Sequence, residues 1–207
     1  PDSIANLFTH VARDSNYIIQ LNKLASDYLK TNPALTRRIA THATELAPET
    51  KYAKGHARSL TIIGNSYWYE GVFEIAQNYY LLAARQYESI NDKIGLGLVY
   101  NNIGEVYKKM GDNKKALEFL TASADLKKND LSTQALTLYN IGELYILMND
   151  LQSATRYIEQ SLSFAIQHND RRTIGYAYTG LGLILAKQKK HHEALDYFIR
   201  AEKIWKE

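Results

Sequence analysis

The stretch Tyr100-Asn101-Asn102-Ile103-Gly104-Glu105-Val106-Tyr107 decides how this 207-residue chain is read. It sets a glycine inside a run with helical periodicity, and the arrangement returns three times. The other copies are Leu60-Thr61-Ile62-Ile63-Gly64-Asn65-Ser66-Tyr67, Leu138-Tyr139-Asn140-Ile141-Gly142-Glu143-Leu144-Tyr145 and Tyr178-Thr179-Gly180-Leu181-Gly182-Leu183-Ile184-Leu185. The glycines at 64, 104, 142 and 182 lie 40, 38 and 40 residues apart. Twelve residues after each comes an alanine (Ala76, Ala116, Ala154, Ala194), and four later a large apolar residue (Tyr80, Leu120, Ile158, Phe198). Three further on comes a small one (Ala83, Ser123, Ser161, Ala201). Rows that coincide in this way mark an internal repeat, whose units bury their apolar faces only by stacking on one another.

Within each copy the apolar residues recur at three- and four-residue steps, as a helix with one buried face requires. A glycine inside a helix costs about 1 kcal/mol relative to alanine, so its presence predicts a close helix crossing. The alanine is its small counterpart on a second helix, and the large apolar residue is expected to fill the space between one unit and the next. Turns within units are expected at Glu70-Gly71, Met110-Gly111-Asp112-Asn113, Met148-Asn149-Asp150 and Gln188-Lys189-Lys190. Between units, Asn91-Asp92, Asn129-Asp130 and Asn169-Asp170 offer side chains that cap helix ends.

A degenerate first unit precedes these four. Tyr17 to Lys30 reads as a helix with Ile18, Leu21, Leu24, Ala25 and Tyr28 on one side. Asn32-Pro33 breaks it, Pro33 suits the first turn of a second helix reaching about Leu46, and Pro48 is expected to stop that helix. Thr36 or Arg37 stands where an alanine belongs, and Ile4 to Val11 adds a short leading helix. The expected fold is therefore all-α: a right-handed superhelical solenoid of five antiparallel helix pairs. The whole of residues 1–207 forms one domain, with residues 1–48 the N-terminal helices and degenerate repeat and 52–207 the four clear repeats.

Composition narrows function. Hydrophobic residues are 45%, charged residues 23% and the formal net charge is +3, without a clustered basic stripe, so nucleic acid is not the expected partner. The absence of cysteine removes disulfides, thiolate nucleophiles and cysteine metal sites. No stretch approaches the roughly 20 apolar residues that cross a bilayer, so no membrane insertion by these residues is expected. No paired carboxylates, Gly-rich phosphate loop, G-x-S-x-G or H-E-x-x-H stands out, and no enzyme, cofactor or metal is expected. His191-His192-Glu193 is read as a solvated helix start, because adjacent helical residues do not share a face.

The Leu/Tyr–Ile–Gly–Tyr run followed by the spaced alanine and large residue resembles the tetratricopeptide repeat, whose usual period is about 34 residues. The longer units here are similar to those of kinesin light chains and bacterial peptide-sensing regulators. Asp2-Ser3-Ile4, Asp14-Ser15-Asn16, Leu21-Asn22-Lys23-Leu24-Ala25, Asn32-Pro33-Ala34 and Asp92-Lys93-Ile94-Gly95 further resemble the sensor regions of Bacteroidetes-type membrane signalling proteins. That resemblance implies an extracytoplasmic array ahead of a transmembrane helix and a histidine kinase, cyclase or other output domain. Neither is present in these residues. Ile204 and Trp205 have nothing after Glu207 to cover them, so a further element, a second copy in a homodimer, or a frayed last turn that tolerates one exposed aromatic is expected there.

The resemblance implies a concave groove lined by the first helix of each pair, taking a protein or peptide ligand. Its candidate residues are Asn65, Trp68, Asn101, Asn102, Glu105, Tyr139, Asn140 and Glu143. Asn102 and Asn140 occupy equivalent places two residues before their glycines. Each amide either holds the backbone of an extended peptide or bonds to a neighbouring helix. Trp68 with Tyr69 either anchors an apolar side chain or packs between units. Tyr67, Tyr107 and Tyr145 are expected in the core. The family's two-carboxylate clamp needs cations where Thr61 and Leu136 stand here, which argues against a C-terminal carboxylate as ligand. The leading expectation is the sensory region of a bacterial receptor; the alternative is a cytosolic peptide-binding regulator or assembly scaffold.

Overall fold

The computed structural model describes residues 14–206, and all regular structure among them is helical. In chain order the helices are α1 (Ser15–Asp27), α2 (Pro33–Thr50), α3 (Ala53–Tyr69), α4 (Phe73–Ser89), α5 (Lys93–Lys109), α6 (Asn113–Leu126), α7 (Leu131–Leu147), α8 (Leu151–Gln167), α9 (Arg171–Lys187) and α10 (His191–Lys206). They form five successive pairs, the arrangement of a tetratricopeptide-like solenoid. In the first half of the chain α1 packs on α2 and α3, α2 on α3 and α3 on α4; in the second half α7 packs on α8 and α9, α8 on α9 and α9 on α10. The leading helix expected at Ile4–Val11 lies outside the described residues.

Left-handed turn residues and capping aspartates explain why the helices stop and restart. Gly71, Gly111, Asn149 and Lys189 occupy the turn within four pairs, all with positive φ. Asn91 and Asn169 do the same between pairs. The following aspartate then caps the next helix: Asp92 accepts from Gly95 N at 2.9 Å, Asp130 from Thr133 N at 3.3 Å and Asp170 from Thr173 N at 3.1 Å. Asp112 and Asp150 repeat this inside their pairs. Asparagine tolerates the left-handed region better than most residues, and aspartate satisfies the orphan amides of a first turn.

Contacts divide the chain into two compact units, Pro1–Val99 and Tyr100–Glu207. In the first, Ile18, Leu21 and Ala25 of α1 share a core with Ile39 and Ala43 of α2 and Ile62 and Ile63 of α3. Thr36 fills the place expected for alanine, fully buried because its hydroxyl donates to Ala25 O at 2.9 Å. Asn22 is also buried: its amide donates to Gly55 O at 3.0 Å and its oxygen accepts from Ser59 Oγ at 2.8 Å. The burial pattern Tyr17, Ile18, Leu21, Asn22 matches Ser59, Leu60, Ile63, Gly64, so Asn22 stands where later pairs carry glycine. Pro48 does not stop α2, which continues to Thr50. Proline removes one intrahelical hydrogen bond, and this close to a C-terminus the remaining ladder tolerates the loss.

In the second unit, Ala116, Leu120, Ile141 and Leu144 form one core cluster; Ala154, Ile158, Ala177, Leu181 and Ile184 form the next. The 38-residue spacing is local. α6 is 14 residues long, whereas α4 and α8 have 17, so the shortening falls at the end of α6.

The repeated glycines behave as crossings. A Cβ on Gly64 would lie 2.6 Å from the Tyr80 ring, on Gly104 2.7 Å from Leu120 Cγ, and on Gly182 2.6 Å from the Phe198 ring. Gly142 meets Ile158 in the same way. The large apolar residue seats in the vacancy of its own pair's glycine and also packs against the next pair, as expected: Leu120 clusters with Ile141 and Leu144, and Ile158 with Ala177, Leu181 and Gly180. A residue seven further on shares the space between pairs: the Tyr87 ring lies over Gly95 at the start of α5.

Candidate partner-binding site

Asn65 and Trp68 belong to α3 in the first unit. Asn65 Oδ1 accepts from the Tyr80 hydroxyl at 2.8 Å. Trp68 is half-buried and meets Tyr69 edge-on, with ring centroids 5.3 Å apart; its indole N–H is buried without a hydrogen bond. Beside them Arg37 pairs with Glu70 at 2.7 Å and lies over the Tyr67 ring at 4.6 Å.

The remaining candidates gather in the second unit, where α5, α7 and α9 lie side by side. The structure separates them into two layers. Asn101, Tyr139 and Asn140 are buried, correcting their expected place on an open groove. The Asn140 amide donates to Asn101 Oδ1 at 3.0 Å, and the Thr137 hydroxyl donates to the same oxygen at 3.0 Å. Asn140 is therefore not a peptide rung beside Asn102, because its side chain is spent on the neighbouring helix. The chain of bonds runs on to Lys127, whose ammonium donates to Thr137 Oγ1 and to Thr133 O at 3.0 Å. Lys127 is 1% exposed, and burial pushes its amine down to about 8, with Asp130 pulling the other way. Sequence reasoning missed this network. Its only signal is a lysine in the row that holds Tyr87, Ala165 and Trp205 in other pairs.

Above that layer lie Asn102, Glu105 and Glu143, all half-buried, with the nearly buried Lys108 side chain between the two glutamates. The Lys108 ammonium pairs with Glu105 Oε1 at 2.7 Å and also with the Glu143 carboxylate, joining α5 to α7. Burial raises the Glu105 carboxyl above its ordinary range, against the pull of Lys108 and with the repulsion of Glu143. Burial alone would lower Lys108, but its two carboxylates outweigh that and hold the ammonium protonated. Tyr139 is raised by burial first and then by both glutamates. Its ring stacks on Tyr176 of α9, centroids 5.4 Å apart and 21° between planes. Tyr176 is 37% and Leu183 44% exposed, seven residues apart on one face of α9.

Tyr67, Tyr107 and Tyr145 are half-buried and pack against the core clusters from their edges. Each stacks on the ring opposite in its own pair: Tyr79 at 5.7 Å, Phe119 at 5.5 Å and Tyr157 at 5.5 Å. Trp205 packs over Gly175 and against Tyr176 (5.2 Å), yet remains half exposed. His191, His192 and Glu193 are exposed at the first turn of α10. No helix of the described residues is long and apolar enough to cross a membrane, and none of their His, Asp and Glu side chains form a metal-holding group.

Two models described as tetratricopeptide repeat match this chain, one over residues 55–129 and the other over 135–165 and 175–204. The chain belongs to the tetratricopeptide repeat family. Such repeats are protein-interaction modules that bind protein or peptide partners and are generally non-catalytic. Among solved structures, this tetratricopeptide chain is similar to BtubC from P. vanneervenii, with TM-score 0.75 and 18% identity over 90% of this chain and 79% of that one. It is also similar to the apo form of RapI (TM-score 0.71, 15% identity, 97% and 88% covered). A third is a putative kinesin light chain of Podosopora anserina with nearly identical repeats (0.68, 11%, 90% and 93%). At these identities the likeness shows the fold. No curated protein matches at a significant level.

Proposed function

We propose that this tetratricopeptide chain binds an extended peptide or protein segment across the face made by α5, α7 and α9, within the unit that begins at Tyr100. The observation that carries this reading is the layering of that face. Asn102, Glu105 and Glu143 are partly open, with Lys108 paired beneath them, above a buried network of Asn101, Asn140, Thr137 and Lys127 that fixes the underlying helices. A polar surface held rigid from below loses little conformational freedom when a ligand arrives. Asn65 and Trp68 are proposed as partner contacts of the first unit. Retention of a random synthetic peptide library on the immobilised chain tests the reading; retention no greater than on an unrelated helical protein would sink it.

The proposed setting is the sensory or interaction region of a bacterial signal-transduction receptor. Its support is the resemblance of Asp14-Ser15-Asn16, Asn32-Pro33-Ala34 and Asp92-Lys93-Ile94-Gly95 to Bacteroidetes sensor regions. A gene that encodes neither a membrane span nor an output domain around these residues would remove that setting. A cytosolic peptide-binding regulator or assembly scaffold is the second reading. What favours it is likeness to a Rap protein solved in complex with competence and sporulation factor (TM-score 0.72, 12% identity, 91% of this chain and 64% of that one covered).

A further inference from the structure

We propose that the α5–α7–α9 face selects a segment bearing an arginine or lysine side chain, with an apolar residue roughly three positions away. This rests on the peptide-binding reading above and names what that site would recognise. Glu105 and Glu143 occupy equivalent positions on adjacent helices and share one cation, Lys108. The cluster of these three side chains therefore carries one negative charge in excess, on a chain whose formal net charge is +3. Lys108 is nearly buried, 6% exposed, and saturated by two carboxylates, whereas the Glu143 side chain is 38% exposed. An incoming cation meets the open side of Glu143, not the ammonium behind it.

A second feature points the same way. The Tyr139 ring feels both glutamates and stacks on Tyr176, which keeps 37% of its surface open. Tyr176, held between Tyr139 and Trp205 and partly open, offers apolar surface to the stem of an arginine or lysine, while the open oxygens of Glu143 take its charge and N–H donors. An anionic or purely apolar group would leave Glu143 uncompensated. Leu183 then stands on α9 at the position that Glu105 and Glu143 hold on α5 and α7, 44% exposed. Packed helices lie about 8–10 Å apart, and an extended chain advances about 3.3 Å per residue. A segment crossing from α7 to α9 therefore sets its apolar residue roughly three positions from its cation.

Peptide sublibraries with one fixed residue (Arg, Lys, Glu, Leu or Ala) and random flanks are the probe, with retention on the immobilised chain measured at low and raised salt. Arg- and Lys-fixed pools should be retained about tenfold better than the Glu-fixed pool, the difference shrinking as salt rises. Sequencing of the retained peptides should enrich an apolar residue two to four positions from the cation. Glu143→Gln should abolish the basic preference, and Glu143→Lys should reverse it towards the Glu-fixed pool. Circular dichroism and an unaltered unfolding midpoint certify that each variant is folded, and Glu202→Gln on α10 serves as an exposed control expected to keep the preference. Retention without a basic bias, or a bias that survives both Glu143 substitutions, overturns the cation proposal and leaves the peptide-binding reading standing. No retention of any pool overturns both.

Discussion

Asn140 of α7 donates its side-chain amide to Asn101 Oδ1 of α5 at 3.0 Å, and that one oxygen also accepts the Thr137 hydroxyl. Two neighbouring repeats are thus fastened through a single acceptor beneath the proposed binding face. Tertiary contact, not the position in the repeat, decides what each asparagine does.

The two ends of this bond should be unequal under mutation. Asn140→Ala removes one donor and leaves Asn101 satisfied by Thr137, a loss of about 1 kcal/mol. Asn101→Ala strands two buried donors at once and should cost roughly 2–3 kcal/mol. Urea unfolding monitored by circular dichroism measures both; a larger effect at Asn140 would contradict the shared-acceptor geometry.

Gly104 and Leu120 form a volume pair. Gly104→Leu alone should unfold or severely destabilise the repeat, because even a Cβ there would lie 2.7 Å from Leu120 Cγ. Leu120→Ala alone should cost about 2–5 kcal/mol by leaving a cavity. Combined, the two should recover at least about 2 kcal/mol relative to the sum of the single effects, since the new side chain enters the space the old one left. Strict additivity in thermal melts would rule out direct packing.

Lys127 gives the chain an alkaline signature. Its amine titrates near 8 in the folded chain against 10.5 as its ordinary value, because burial penalises the charged form. Between those values the unfolded chain holds more protons, so this group makes stability rise with pH there, by up to roughly 3 kcal/mol. Below the window the penalty is fully present. Lys127→Met should remove the slope, and the difference between the two proteins in urea midpoint from pH 7 to 10 isolates it from the tyrosines. Parallel curves would show that the lysine is not protonated at a cost.

Lys189 sits at φ +63° in the place where two other pairs carry Gly71 and Gly111. A left-handed lysine is strained by roughly 1 kcal/mol or more. Glycine relieves that but loosens the unfolded chain, so Lys189→Gly should gain about 0.5 kcal/mol net. The unfolding midpoint checks the sign; a loss would mean the lysine side chain holds the turn by contacts of its own.

The rows of glycine, alanine and large apolar residues determined the fold without help, because helix crossings demand missing side chains at fixed spacing and nothing else explains their recurrence. Aspartate after asparagine marked the restarts for an equally local reason: both residues act on their own backbone. Asn22 escaped the alignment because the α1–α2 turn is two residues longer than the α3–α4 turn, and an ungapped comparison cannot absorb that. Pro48 misled because one lost hydrogen bond looks decisive in a string and is small within a packed helix. The candidate face was legible as a set of positions but not as a site. Whether Asn140 faces a ligand or Asn101, and whether Lys127 reaches water or Thr137, depends on which helix lies opposite. Burial and partner identity are set by residues on other helices, 10 to 39 positions away, where periodicity no longer specifies direction.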